Sequence, residues 1–316
     1  MHAHRADSPL SGPDPPALDD PIGQKYDALG GSARFGPVLH VDPDRSWSCA
    51  EGFLCRDGTA PDGVFEIHGR IHARWQELGG PTCYLGLPVS DEAEFDGGRA
   101  NSFAGGGIYW WPDLGAIDLR GVSISYTGVR RVELIGQDVD NDSGAYILIT
   151  EATPLTVGTR RTQVYSGLSE GRSRPDLLEI YRGPPYGMNV HVVVMDRDLK
   201  DPNACREVIE SIVRTEHADR MSSLPVSSTA GPALADPAAP ILTALIPAWA
   251  AAVDRLFAPA EGHVGSRGLW LSPRDLVVLA AAGRTEHIDG IRYTFRTGCR
   301  GRSGATYHVH FEVVPI

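Results

Sequence analysis

Three groups of residues have the types and spacing to do chemistry. The first is Tyr109-Trp110-Trp111, which follows the Gly105 to Gly107 run and has Asp91, Glu92 and Asn101 upstream. An aromatic ring offers a flat apolar platform to the C–H face of a sugar, while carboxylates and amides bond its hydroxyls, so this set is a candidate glycan-binding site. On a strand, alternation turns Trp110 one way and Tyr109 and Trp111 the other, which predicts at least one open tryptophan face, from Trp110 or Trp111. The second group is acidic: Asp138, Asp140 and Asp142 fill one loop, and Asp196 and Asp198 end a strand-like run. Carboxylates two apart can turn several oxygens onto one centre, and calcium takes six to eight oxygen ligands. The third group looks enzymatic. Gly167-Leu168-Ser169-Glu170-Gly171 fits G-x-S-x-G, but Arg172-Ser173-Arg174-Pro175 cannot start the helix that a nucleophile elbow needs. His308 and His310 share one face of a predicted strand without a third ligand in view, and they read as structural histidines.

The elements that must hold these groups follow from composition and pattern. The 316 residues suggest about two domains. A formal net charge of −11 is the wrong sign for neutralising phosphates, which argues against nucleic-acid binding. With 36 glycines and 24 prolines, short strands joined by turns are expected to dominate. Residues 1–20 are polar and proline-rich, lack the basic-then-apolar pattern of an export signal, and read as a disordered leader. Cys49 and Cys55 are spaced to close a small disulfide loop in an oxidising compartment; Cys83, Cys205 and Cys299 read as small buried residues.

Residues 69–121 organise the first third of the chain. Ile71 and Trp75 before Leu78-Gly79-Gly80 predict a short helix stopped by glycine, with Trp75 in the core. Gly79, Gly80 and Gly86 are read as positions where no side chain fits. Residues 21–69 repeat the pattern in degenerate form: Ile22, Tyr26 and Leu29-Gly30-Gly31 stand 49 residues before their counterparts. The series Trp75, Leu78-Gly79-Gly80, Leu85-Gly86-Leu87-Pro88, Phe103, Gly107-Ile108-Tyr109-Trp110, Gly115-Ala116 and Gly121 resembles the LGFP repeat. That family occurs in actinobacterial envelope proteins, and the resemblance implies attachment to wall polysaccharide. The first copy has Phe35-Gly36-Pro37 for the signature and no Ile-Tyr-Trp.

Beyond residue 121 the pattern becomes strand-rich. Runs at 131–135, 145–150, 177–181, 190–195, 269–271, 291–296 and 306–313 predict an antiparallel β-sandwich rather than a doubly wound sheet. Helical spacing at Cys205, Val208, Ile209, Ile212 and Val213, capped by Asn203, and at Ile241, Leu245, Trp249, Val253 and Leu256 predicts a helical insert at about 203–257. Its uncharged part, Ala238 to Val253, is shorter than a membrane span. The Asp-rich first loop paired with a strand-terminal Asp-x-Asp resembles the C-two-type calcium-binding sandwich. That resemblance implies one more acidic segment, for which Glu261 is the nearest match.

The expectation is therefore a mainly β protein with small helices. Residues 21–121 form an LGFP-type repeat module and residues 122–316 a C-two-like antiparallel β-sandwich with a helical insert. The function expected is non-enzymatic binding to an envelope glycan, extracellular or at the wall, with calcium as the cofactor. A wall-targeted hydrolase with an unrecognised site is the rival reading, and a calcium-dependent membrane-surface protein is the third.

Overall fold

The computed structural model of the chain describes residues 20–42, 45–56, 58, 63–133, 144–196, 201–224, 231–257, 263–300 and 305–316. The leader expected at 1–20 lies outside these residues except for Asp20. The architecture is mainly β, with several antiparallel sheets and a few helices. Two compact units are present: Met1–Ala93 with Gly98–Asp118, and Glu94–Gly97 with Leu119–Ile316.

The first unit contains one design twice. Helix α1 (Pro21–Ala28) and the short α2 (Ser32–Phe35) precede strands β1 (Val38–Asp42), β2 (Ser46–Cys49), β3 (Gly52–Arg56) and β4 (Val64–His68), which form one sheet in sequential order. Helix α3 (Gly69–Glu77) precedes β5 (Ala93–Phe95), β6 (Gly98–Phe103), β7 (Gly106–Trp111) and β8 (Gly115–Leu119), again in sequential order. The backbone repeats with the sequence. Gly30 and Gly79 have φ of 109° and 112°, and Gly36 and Gly86 have φ of 70° and 72°. At Gly79 and Gly86 a Cβ would meet nothing closer than 3.8 and 3.5 Å, so the left-handed backbone, and not lack of room, demands glycine. The Tyr26 hydroxyl donates to the Gly36 carbonyl at 3.2 Å, and the Trp75 indole donates to the Gly86 carbonyl at 2.9 Å. The same ring position thus ties helix to turn in both copies, and Trp75 is core as expected.

Strand alternation makes the first sheet a wall shared by both copies. Leu54 and Val64 join Ile22, Tyr26, Phe35, Trp47 and Cys49 in one cluster. Phe53, Cys55 and Ile67 join Ile71, Trp75, Leu85, Phe103 and Ile108 in another. Neither helix–sheet set buries its apolar faces alone, as is usual for short repeats. Cys49 and Cys55 fall in different clusters on opposite faces of the sheet, and both are free thiols. The expected disulfide is therefore not formed. Their spacing suited a loop, but the strands β2 and β3 turn the two side chains apart.

In the second unit, β10 (Ala145–Ala152), β11 (Val157–Arg161), β13 (Met188–Asp196) and β14 (His263–Leu271) form a sheet in the order β11-β10-β13-β14. Strands β9 (Val122–Glu133), β12 (Ser173–Gly183), β17 (Phe295–Arg300) and β18 (Thr306–Pro315) form another, in the order β12-β9-β18-β17. A ribbon of β15 (Glu286–Ile288) and β16 (Ile291–Tyr293) lies on the second sheet. Helices α4 (Pro202–Met221) and α5 (Ala235–Phe257) cover one face of the first sheet, where Cys205, Ile209, Val213, Leu242, Leu245, Trp249 and Val253 pack on Tyr146, Leu148, Val193 and Met195. The cap of α4 is Asp201 and not Asn203: its carboxylate accepts from the Asn203 amide. Val208, expected inside, is exposed. Helix α5 runs 23 residues, with Pro240 and Pro247 both on its exposed side. By length and composition alone it could cross a membrane, yet its Leu242, Leu245 and Trp249 are fully buried on the sheet.

Helix α6 (Pro273–Ala282) was not foreseen, although its signals are in the sequence. Ser272 and Asp275 form a reciprocal capping box, Pro273 occupies the first turn, and Gly283 ends the helix in the left-handed region.

Candidate functional site

The three aromatics of β7 have different surroundings. Ile108 and Trp110 turn toward α3, and Trp110 is half-buried at the edge of the second core. Tyr109 and Trp111 turn the other way and are 2% and 0% exposed. The strand alternates as expected, and of the two tryptophans only Trp110 has an open face. Trp111 is part of the interior and cannot serve as the platform. Its ring lies against Gly98, where an added Cβ would come within 2.6 Å of the indole.

The polar half of the expected site is used inside the first unit. Asp91 accepts from the Lys25 ammonium at 2.6 Å and from the Glu66 amide at 3.1 Å. Glu92, almost fully buried, accepts from Arg99 Nε at 2.8 Å and lies 3.3 Å from His68 Nδ1. The Asn101 amide, fully buried, donates to the carbonyls of Glu66 and Ser90 at 3.2 and 2.9 Å. These three residues stitch the two copies together, and they do not gather around Trp110.

What does gather there comes from α3 and the turn after β7. Arg70, Ala73, Arg74, Glu77, Trp110, Pro112, Gly115 and Ala116 line an open groove of about 430 Å³. Arg70, Arg74 and Glu77 share one helix face by their spacing of four and three, about 100° round the helix from the buried pair Ile71 and Trp75. That spacing was present in the sequence, but three charges on a short helix look like an ordinary solvated face. Arg74 donates through Nε to Asp118 at 2.8 Å and through Nη1 to Glu77 at 2.9 Å. These carboxylates, Glu77 first, raise the already high value of its guanidinium. Burial alone would raise the Asp118 carboxyl, but hydrogen bonds from Tyr84 and Arg74 hold it below the usual carboxylate range. The groove thus pairs a fixed aromatic wall with a charged rail locked in place.

In the first copy the corresponding positions hold different residues. Counting from the strand residue that meets the helix, Leu54 in β3 and Ile108 in β7, Arg56 stands where Trp110 stands, and it is paired with Asp20. Lys25, the counterpart of Arg74, is met by Asp91 and by the Val64 carbonyl. The cation of the helix is ion-paired in both copies, but an arginine replaces the aromatic ring in the first.

The remaining candidates in the second unit separate cleanly. Gly167 to Gly171 forms a turn, with the Arg172 amide donating to the Ser169 carbonyl at 3.0 Å, and strand β12 follows instead of a helix. Ser169 is therefore not on a nucleophile elbow. His310 is fully buried with its ring on Tyr293, and burial pushes it down to about 4. His308 lies 3.1 Å from an Arg296 nitrogen and is also lowered, chiefly by burial. A neutral, buried histidine beside arginines is a packing residue. Among the described residues no group of three or more His, Cys, Asp or Glu could hold a metal. Asp138, Asp140, Asp142, Asp198 and Glu261 lie outside the described residues, and Asp196 is placed by its backbone alone, at the end of β13.

No curated protein matches the chain. LGFP repeats are typical of cell-envelope-associated proteins, which gives coarse support to an envelope location. Residues 85–126, the stretch that carries β6, β7, β8 and the ring of Trp110, match the LGFP repeat.

Proposed function

We propose that this protein binds a polysaccharide of the cell envelope without modifying it, and that the groove of its second repeat is the binding site. The observation that carries the reading is the environment of Trp110. It is the one aromatic of its run left half-open, and it sits inside the matched repeat beside Arg70, Arg74 and Glu77. A sugar laid on the indole would meet Arg74 and Glu77 already engaged with each other, so little of their side-chain freedom is lost on binding. Loss of one such aromatic contact costs on the order of 1–2 kcal/mol, or about tenfold in affinity. The test is binding of the full chain to purified envelope polysaccharide. Trp110→Ala should weaken it about tenfold with an unchanged circular-dichroism spectrum; binding equal to the parent's refutes the groove. Muralytic and esterase activity in the same preparation would instead support a wall-targeted hydrolase.

A calcium requirement in the C-two-like sandwich is a second proposal, supported by strand register. Ala145, which follows the acidic loop, pairs with Asp196, and Met195 pairs with His263, which follows Glu261. Ala145, Asp196 and His263, the described residues next to the three acidic segments in sequence, thus lie at the same end of one sheet. Binding calcium there should raise Tm by mass action, at the millimolar scale of weak extracellular sites. Identical melting curves in calcium and in chelator would remove the proposal. Pelleting with anionic vesicles, with and without calcium, tests the membrane-surface reading in the same samples.

A further inference from the structure

Two arginines and two carboxylates balance at the groove, but both carboxylates engage the same arginine. Arg74 is matched by Asp118 and Glu77, and the second Asp118 oxygen accepts from the Tyr84 hydroxyl. Arg70 lies one helical turn before Arg74, lines the same groove, is exposed, and makes no hydrogen bond or ion pair with a described residue. Arg70 is therefore a guanidinium with open donors beside an aromatic platform.

Resting on the reading that the groove holds a glycan, we infer that the sugar it takes is acidic, with a carboxylate that pairs with Arg70 while the ring lies on Trp110. The guanidinium presents parallel N–H donors that match a carboxylate bidentately, which a neutral hydroxyl cannot use fully. Arg74, its own donors engaged by Asp118 and Glu77, leaves the ligand's carboxylate to Arg70. A neutral glycan would leave Arg70 solvated and gain nothing from it. Binding should accordingly weaken with salt, since the contact is exposed to screening.

The experiment uses the full chain and one envelope polysaccharide in three forms: native, with its carboxyls reduced to alcohols, and stripped of phosphoesters. Arg70→Gln keeps the length, polarity and helix propensity of the residue, and a parental Tm checks its fold. The inference expects that carboxyl reduction weakens the parent about tenfold or more, that Arg70→Gln weakens it on native glycan to the same degree, and that the variant no longer distinguishes native from reduced glycan. If Trp110→Ala loses binding while Arg70→Gln and carboxyl reduction change nothing, the acidic-sugar inference fails and the groove stands. If both variants bind as the parent does, the groove itself is wrong. If phosphoester removal weakens binding and carboxyl reduction does not, the anion is a phosphate and the carboxylate assignment is overturned.

Discussion

Replacing Trp111 separates the two roles that the aromatic run could play. Its side chain is fully buried, so the substitution Trp111→Ala removes most of a ring that covers on the order of 200 Å². At about 25 cal/mol per Å², the transfer term alone is about 5 kcal/mol as an upper bound. Large aromatic-to-alanine changes in cores cost about 3–5 kcal/mol. The site cannot collapse easily to recover part of this. Gly98, on the neighbouring strand, already approaches so closely that a Cβ would sit 2.2 Å from the Trp110 carbonyl and 2.6 Å from the Trp111 ring. Backbone pressed this tightly against the ring is fixed by strand pairing of β6 with β7 and cannot move in to fill the void. We expect a loss near 4 kcal/mol, a large part of the 5–15 kcal/mol that holds a typical domain. Trp110→Ala, at a half-open position, should cost no more than about 1–2 kcal/mol. Equilibrium denaturation followed by near-ultraviolet circular dichroism measures both. A Trp111→Ala protein within about 1 kcal/mol of the parent would show that the ring is not packed as described, and would return it to candidacy as a sugar platform.

Two further predictions concern pH and one concerns redox state. Burial, partly offset by Arg160, pushes the Glu151 carboxyl up to about 7, so its contribution is fully present below about 4.5 and is lost as pH rises through 7. Glu151→Gln should flatten that part of the Tm profile and be the more stable protein at pH 8, by at most about 3 kcal/mol; a profile unchanged in slope refutes the burial. His72 runs the opposite way. Burial, with help from the His68 charge, pushes it down to about 4, so its contribution is complete above about 6.5 and is lost as pH falls through 4. His72→Gln should remove acid sensitivity between those values, and a variant as acid-sensitive as the parent would count against it. All five cysteines are free, so alkylation under denaturing conditions without reductant should label five thiols, and reductant should leave Tm unchanged; three labelled thiols would mean that one disulfide exists after all.

The sequence by itself determined the features that rest on local backbone chemistry. A constant separation of 49 residues between Leu29-Gly30-Gly31 and Leu78-Gly79-Gly80 became two left-handed helix stops with nearly equal φ, because glycine alone adopts that conformation cheaply. Helical spacing located α4 and α5, and alternation located β18, since a buried face imposes its period on the residues that form it. Tertiary structure decided everything that depends on what covers each face. Period two says that Trp110 and Trp111 point apart, but only the packing of α3 on one side of β7, together with the full burial of Trp111 on the other, says which is open. Cys49 and Cys55 are six residues apart in sequence, yet on opposite faces of a shared sheet. Asp91, Glu92 and Asn101 have the chemistry of sugar ligands, but hydrogen-bonding partners brought from the first copy, Lys25, Glu66 and His68, claim them first. Arg70 became notable for the reverse reason: a charge on an exposed helix face is ordinary in sequence, and only the structure shows that Asp118 and Glu77 both engage Arg74 and leave the donors of Arg70 open beside Trp110.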